Sequence, residues 1–164
     1  MSTTTVFRIA GVSGILAALA MLALTFVSDP NSGMSPVYAV PNAVLGIIFV
    51  AGLYLLYRDQ ESALSLAAAA ASVIGYLLFL AGSFMQLTYP SPILQAGDIL
   101  IYIIGLSLFS WLAYRAHKMP RILAIVGFLT ALVGIGSYLV MWFTGASFTS
   151  MENLPPLLMV LYTA

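Results

Sequence analysis

One acidic residue, Asp98, lies in a stretch that is otherwise apolar enough to cross a membrane. An ionisable side chain at the middle of a bilayer costs about 2.5 to 3.5 kcal/mol on insertion scales, so its presence there indicates a function or a specific partner. Gln95 and Tyr102 stand at helical spacing from Asp98 and share one helix face with it. The pattern predicts a polar site around a single carboxyl group.

Polar side chains of neighbouring helices are expected at the same depth, on the outer side of the bundle. Consecutive helices run in opposite directions, so the end of one helix and the start of the next lie at the same surface. Tyr138 and Trp142 are also expected at this depth. The candidate pocket comprises Asp98, Gln95, Tyr102, Gln86, Asn42, Tyr38 and Tyr89.

The candidate pocket has three interpretations at this stage. In the first interpretation, the pocket opens outward and Asp98 takes up a proton or a cationic substrate there. Alternatively, Asp98 forms a hydrogen bond with Gln86, Asn42 or a tyrosine that joins two helices, and the aromatic residues form the usual belt at the membrane surface. A contact with a neighbouring subunit is a third use of the same residues.

The residue inventory does not support a known catalytic mechanism. Gly97-Asp98 matches the Gly-Asp pair of intramembrane aspartyl proteases, but that chemistry needs two carboxyl groups and no second acid lies in a predicted span. The only histidine, His117, is predicted at the inner surface, and the chain has no cysteine. No phosphate-binding or zinc motif occurs. The sequence therefore predicts no catalytic residue, metal site or cofactor.

Composition places the chain in a membrane. Hydrophobic residues make up 62% of the sequence and charged residues 6%, whereas a soluble domain has roughly 25% charged residues. The five Lys and Arg residues balance the five Asp and Glu residues, so the chain has no basic surface for nucleic acid. The expected partners are membrane lipids and other membrane subunits, or a second copy of the chain.

The apolar segments predict an all-α fold, a polytopic transmembrane helix bundle in one domain over residues 1–164. It has five full spans and the start of a sixth, at 7–27, 37–57, 63–89, 93–116, 122–143 and, for the partial span, 157–164. The pairs Ser35-Pro36 and Ser91-Pro92 suit helix starts, with Ser at the N-cap and Pro at the first helical position. The last segment covers only about 12 Å, so either the natural chain continues past Ala164, which is the expectation, or the segment docks as a half-helix.

Cationic residues predict the orientation. With a cytoplasmic N-terminus, all five fall on the inner side and none on the outer side, as the positive-inside rule requires. These residues are Arg8, Arg58, Arg115, Lys118 and Arg121. The expected location is the cell membrane, as a multi-pass protein of the bacterial inner membrane. The cluster of Arg115, His117, Lys118 and Arg121 is expected to anchor the bundle at the lipid headgroups.

Two short stretches resemble a broad family of small polytopic bacterial membrane proteins of unknown function. They are the start Phe7-Arg8-Ile9-Ala10-Gly11-Val12 and the segment Tyr114-Arg115 to Met119-Pro120-Arg121-Ile122-Leu123-Ala124. In that family an Arg-Ile-Ala-Gly start and a Pro-Arg-x-Leu-Ala opening of a late helix accompany six or more helices. The resemblance implies that a sixth helix continues and brings no known activity.

Two functions are consistent with these residues. The first is a non-enzymatic membrane protein with a structural or accessory role, because charge inside the spans is scarce. The second is a small-solute or proton-coupled carrier or binding protein with an outward-facing polar pocket around Asp98. Substitution of Asp98 by asparagine is expected to separate the two.

Overall fold

The computed structural model describes residues 3–27, 35–87 and 91–144, and within these ranges the chain is helical with no strand. Consecutive helices are joined by short connections where the chain is described. The five helices are α1 Thr3–Val27, α2 Pro36–Tyr57, α3 Ser62–Phe84, α4 Pro92–Ala116 and α5 Arg121–Thr144. The predicted all-α fold is therefore confirmed.

Helices α2, α3 and α4 are each long and apolar enough to cross a membrane. Helices α1 and α5 have 25 and 24 residues and contain the apolar stretches Thr5–Ala20 and Arg121–Gly136. The described residues thus contain five helices rather than five full spans and the start of a sixth. The predicted partial span, 157–164, lies outside the described residues.

Each helix packs against the next one along the chain, from α1 to α5. Small residues allow close approach in the first pair, where a Cβ atom at Gly52 of α2 would overlap Ala10 of α1. The largest group of buried apolar side chains lies between α2, α3 and α4 and includes Phe49, Tyr76 and Phe109. This interior is where polar groups from several helices can meet.

The prolines at helix starts act as the sequence predicts. Pro36 opens α2 and Pro92 opens α4, each after a serine with extended backbone. Proline suits the first turn because its missing N–H has no acceptor there in any case. Helix α2 then continues through Pro41 to Tyr57.

Helix α3 ends five residues earlier than the predicted span 63–89, so that boundary is wrong. Gln86 has φ 50°, the left-handed conformation that ends helices. Its N–H donates to the Ser83 carbonyl at 3.1 Å, and the Leu87 N–H donates to the Gly82 carbonyl at 3.0 Å. These two bonds form a Schellman motif, which satisfies the last carbonyls of the helix. Apolarity continues past Phe84, but the helix does not.

Replacing Gln86 with glycine is expected to stabilise the bundle by about 1 kcal/mol, because glycine has no Cβ to oppose positive φ. The adjacent variant Met85→Gly serves as control, since Met85 has φ −81° and gains nothing from glycine. Unfolding in detergent micelles measures both. Equal effects of the two substitutions would contradict the assigned helix end.

Helix α4 matches its predicted bounds, 93–116, but it is not uniform. It is α-helical over Pro92–Asp98, π-helical over Ile99–Gly105 and α-helical again over Leu106–Ala116. His117 then ends it with φ 53°. π-Helical turns are rare and often lie at functional sites. In this chain the π-helical segment begins at the residue after Asp98.

Candidate functional site

Two glycines bring α3 and α4 into backbone contact. A Cβ atom at Gly75 would lie 2.7 Å from the Gly97 carbonyl oxygen, and one at Gly97 would lie 3.0 Å from the Gly75 carbonyl oxygen. Real Cβ atoms essentially never come within 3.0 Å of a non-bonded heavy atom, so only glycine fits at position 75, and a Cβ atom at position 97 would be tighter than most real contacts. The following residues along each helix are Tyr76 and Asp98. The glycine contact therefore sets how closely these two side chains approach.

Asp98 is half-buried and receives a hydrogen bond from α5. The Tyr138 hydroxyl donates to Asp98 Oδ2 over 3.2 Å. The carboxyl group is also close enough to interact electrostatically with the hydroxyls of Tyr76 and Tyr102. We call these four residues the Asp98 cluster. It combines one carboxyl group with three hydroxyl groups from α3, α4 and α5.

Helix α2 borders the cluster through Gly46. A Cβ atom at Gly46 would overlap the ring and hydroxyl oxygen of Tyr76, so the tyrosine occupies the space that glycine leaves. Tyr76 is 3% exposed, and Asn42, one turn before Gly46 on α2, is 5% exposed. Polar groups of four helices thus lie in the interior of the bundle.

The structure brings only some residues of the candidate pocket together. Asp98 and Tyr102 belong to the cluster, and Asn42 is buried on the neighbouring helix. Gln95 is half-buried one turn before Asp98. Tyr38 is 42% exposed and Gln86 is exposed at the left-handed end of α3. Tyr89 and the side chain of Trp142 lie outside what the structure describes.

Sequence reasoning did not select Tyr76. One signal was present: Tyr76 lies well inside an apolar span, whereas tyrosines of the aromatic belt lie near the ends of spans. A buried tyrosine usually finds a hydrogen-bond partner, so a tyrosine at that depth indicates another polar group nearby. A hydrogen bond between Asp98 and a tyrosine of another helix was one of the expected interpretations, and Tyr138, expected at this depth, makes that bond.

Buried hydroxyl groups of serine and threonine mostly bond within their own helices. The Ser72 hydroxyl donates to the Ala68 carbonyl at 2.9 Å, and the Thr130 hydroxyl donates to the Val126 carbonyl at 2.8 Å. Ser13 makes the same contact with the Ile9 carbonyl at 2.8 Å. Such bonds satisfy the hydroxyl without joining two helices. In the interior of the bundle, the hydrogen bond between Tyr138 and Asp98 does join two helices.

Charged side chains at the other end of the bundle connect α4 and the residues after it to the α2–α3 connection. Lys118 Nζ donates to the Leu56 carbonyl at 2.7 Å, and Arg115 forms an ion pair with Glu61. The α2–α3 and α4–α5 connections therefore lie at the same end. Exposed ion pairs of this kind contribute about 0 to 1 kcal/mol to stability.

Arg121 and Arg8 lie at the same end. The Nη2 atom of Arg121 lies 3.3 Å from the Nε2 atom of His117. The Arg121 guanidinium is also 6.0 Å from the centre of the Tyr114 ring. Arg8 is exposed two residues before Ala10, which packs near the end of α2. The predicted headgroup anchor, Arg115, His117, Lys118 and Arg121, is thus a contiguous exposed cluster.

Neither metal ligands nor known relatives add to this geometry. Among residues 3–27, 35–87 and 91–144, no three His, Cys, Asp or Glu side chains stand close enough together to hold a metal ion. Comparisons with models of protein families, with curated proteins and with solved structures yield no match. The resemblance to small bacterial membrane proteins therefore stays a prediction.

Proposed function

We propose that the chain is a non-enzymatic integral membrane protein, a structural or accessory subunit that packs against other membrane proteins and lipids. The observation that carries this proposal is the contrast between a polar site in the interior of the bundle and an apolar surface. Polar side chains of α3, α4 and α5 meet inside the bundle at Asp98, whereas the helix surfaces are apolar. An interior hydrogen bond between helices suits a packing unit, because it stabilises the bundle without needing a ligand.

The surface of α5 supports this role. Large apolar side chains recur there at helical spacing and are 36% to 66% exposed, so they form one stripe along the helix. The stripe comprises Ile122, Ile125, Phe128, Leu129, Leu132, Ile135 and Leu139. Such a stripe packs equally well against lipid chains or against an apolar helix of another subunit.

In the proposed arrangement the basic end of the bundle faces the cytoplasm of a bacterial cell. Support comes from the contacts that place the Arg115 and Lys118 side chains beside the α2–α3 connection, together with the positive-inside rule. The N-terminus then lies in the cytoplasm as well. In this arrangement all five helices cross the membrane.

Purification from native membranes tests the role. The proposal predicts that another membrane subunit, or a second copy of the chain, co-purifies in a fixed ratio. Leu132→Trp on the α5 stripe should weaken this association, whereas Leu77→Trp on the exposed face of α3 is the matched control. A chain that purifies alone and catalyses solute uptake in vesicles would contradict an accessory role.

A second function has one observation in its favour: a π-helical segment starts directly after Asp98. It is a small-solute or proton-coupled carrier with an outward-facing polar pocket at Asp98. Asp98→Asn separates the two functions. Loss of pH-dependent uptake with assembly intact favours the carrier, whereas loss of assembly favours the packing role.

A further inference from the structure

The charge distribution around Asp98 is the starting point. The uncharged hydroxyl of Tyr138 on α5 donates a hydrogen bond to its carboxyl group, and the buried tyrosines Tyr76 of α3 and Tyr102 of α4 lie within range of its charge. The cationic side chains lie at the opposite end of the bundle, and along α4 Arg115 is about 25 Å away at the helical rise per residue. A carboxylate in apolar surroundings is costly, so a cation from outside the chain is the natural means of neutralising it.

Packing around Asp98 limits the size of that cation. The backbones of α3 and α4 touch at Gly75 and Gly97, one residue before Tyr76 and Asp98 on their helices. Tyr76 fills the space against Gly46 of α2. On the side of these glycines, α3 and α4 leave no room for a hydrated metal ion or an organic ammonium group. A proton needs none.

The hydroxyl groups suit both protonation states of the carboxyl group. A tyrosine hydroxyl is donor and acceptor at once. When Asp98 is ionised, Tyr138 donates to Oδ2. When Asp98 takes a proton from a hydronium ion, one O–H bond breaks and the carboxyl O–H bond forms, and that O–H can donate to a hydroxyl oxygen of the cluster.

We propose that Asp98 is a proton-binding site, reached from the end of the bundle where α4 begins. Asp98 lies about 9 Å from the start of α4 at Pro92, and half-buried Gln95 lies between them on the same face. The proton comes from water at that surface and converts the carboxylate to a carboxylic acid. The titratable groups near it are Tyr76, Tyr102 and Tyr138, and α2 carries the buried Asn42 one turn before Gly46. This site is compatible with either proposed function.

Carbodiimide labelling tests the site. The full chain in phosphatidylcholine vesicles is treated with dicyclohexylcarbodiimide, an apolar reagent that adds to a protonated carboxyl group and forms an N-acylurea. Mass spectrometry then locates the adduct. The expected result is an adduct at Asp98 that decreases as pH rises and does not change when sodium replaces choline. Asp98→Asn should lose the adduct, and Asp59→Asn, in an exposed loop, should keep it.

Two further measurements keep the test decisive. Tyr138→Phe retains the carboxyl group, so it should keep the adduct and displace its pH dependence. Infrared difference spectra of the wild type against Asp98→Asn detect the carboxylic acid directly, even where the reagent has no access. Sodium protection at constant pH would overturn the proposal in favour of an alkali-ion site. Absence of both the adduct and the infrared band, with helicity intact, would overturn it altogether.

Discussion

Gly75→Leu is expected to lower the free energy of unfolding by about 3 kcal/mol or more, the largest effect of any single substitution considered for this chain. A Cβ atom at Gly75 would already lie 2.7 Å from the Gly97 carbonyl oxygen and 2.6 Å from Ile101 Cγ1. Backbone cannot rotate away as a side chain can, so α3 and α4 must separate. That separation also moves Tyr76 away from Asp98.

The control for this prediction is Gly136→Leu on α5. No described atom lies within 4 Å of a Cβ atom at Gly136, and the gain in helix propensity is the same as at Gly75. Denaturant unfolding in detergent micelles compares the two variants. Equal stability of the two proteins would show that the glycine contact between α3 and α4 does not exist.

Gly46→Ala is expected to have the second-largest effect, a loss of about 1 to 3 kcal/mol from overpacking. The added methyl group would overlap the ring and hydroxyl of Tyr76, which is 3% exposed and has little space to move. In a Tyr76→Leu background those ring atoms are absent. There the same substitution should raise stability by up to about 1 kcal/mol, because alanine favours helix more than glycine does.

Unfolding of the four proteins in this cycle measures the effect. The effect of Gly46→Ala on the free energy of unfolding should change sign between the two backgrounds. A general disturbance of helix α2 at Gly46 would instead destabilise both proteins. An equal loss in the two backgrounds would mean that Tyr76 does not lie against Gly46. The position of Tyr76 beside the Asp98 cluster would then be wrong as well.

Local chemistry made the helix starts predictable. Pro36 and Pro92 each fix the backbone for a first helical turn, and the preceding serines have the extended conformation of an N-cap. The end of α3 was not predictable in the same way. Its left-handed residue is Gln86 instead of the usual glycine, and apolar residues continue beyond it. The span 63–89, predicted from hydropathy, therefore extends beyond the end of α3 at Phe84.

The site was predictable in its centre but not in its surroundings. Asp98 is conspicuous because it is charged within an apolar run, and Tyr102 follows one helical turn later. Tyr76 and Tyr138 join it through contacts between helices, which depend on where Gly75 meets Gly97 in three dimensions. The π-helical segment Ile99–Gly105 carries no local sequence signal that predicts it. These features follow from tertiary packing.

The central claim is that Asp98 joins α4 to α5 inside the bundle, and a double-mutant cycle with Tyr138 tests it most directly. The cycle comprises the wild type, Asp98→Leu, Tyr138→Phe and the double variant, each unfolded in detergent micelles. Hydrogen bonds between membrane helices average about 0.6 kcal/mol and reach about 1.7 kcal/mol. The expected coupling energy lies within that range and is stabilising. A coupling energy of zero would contradict the claim.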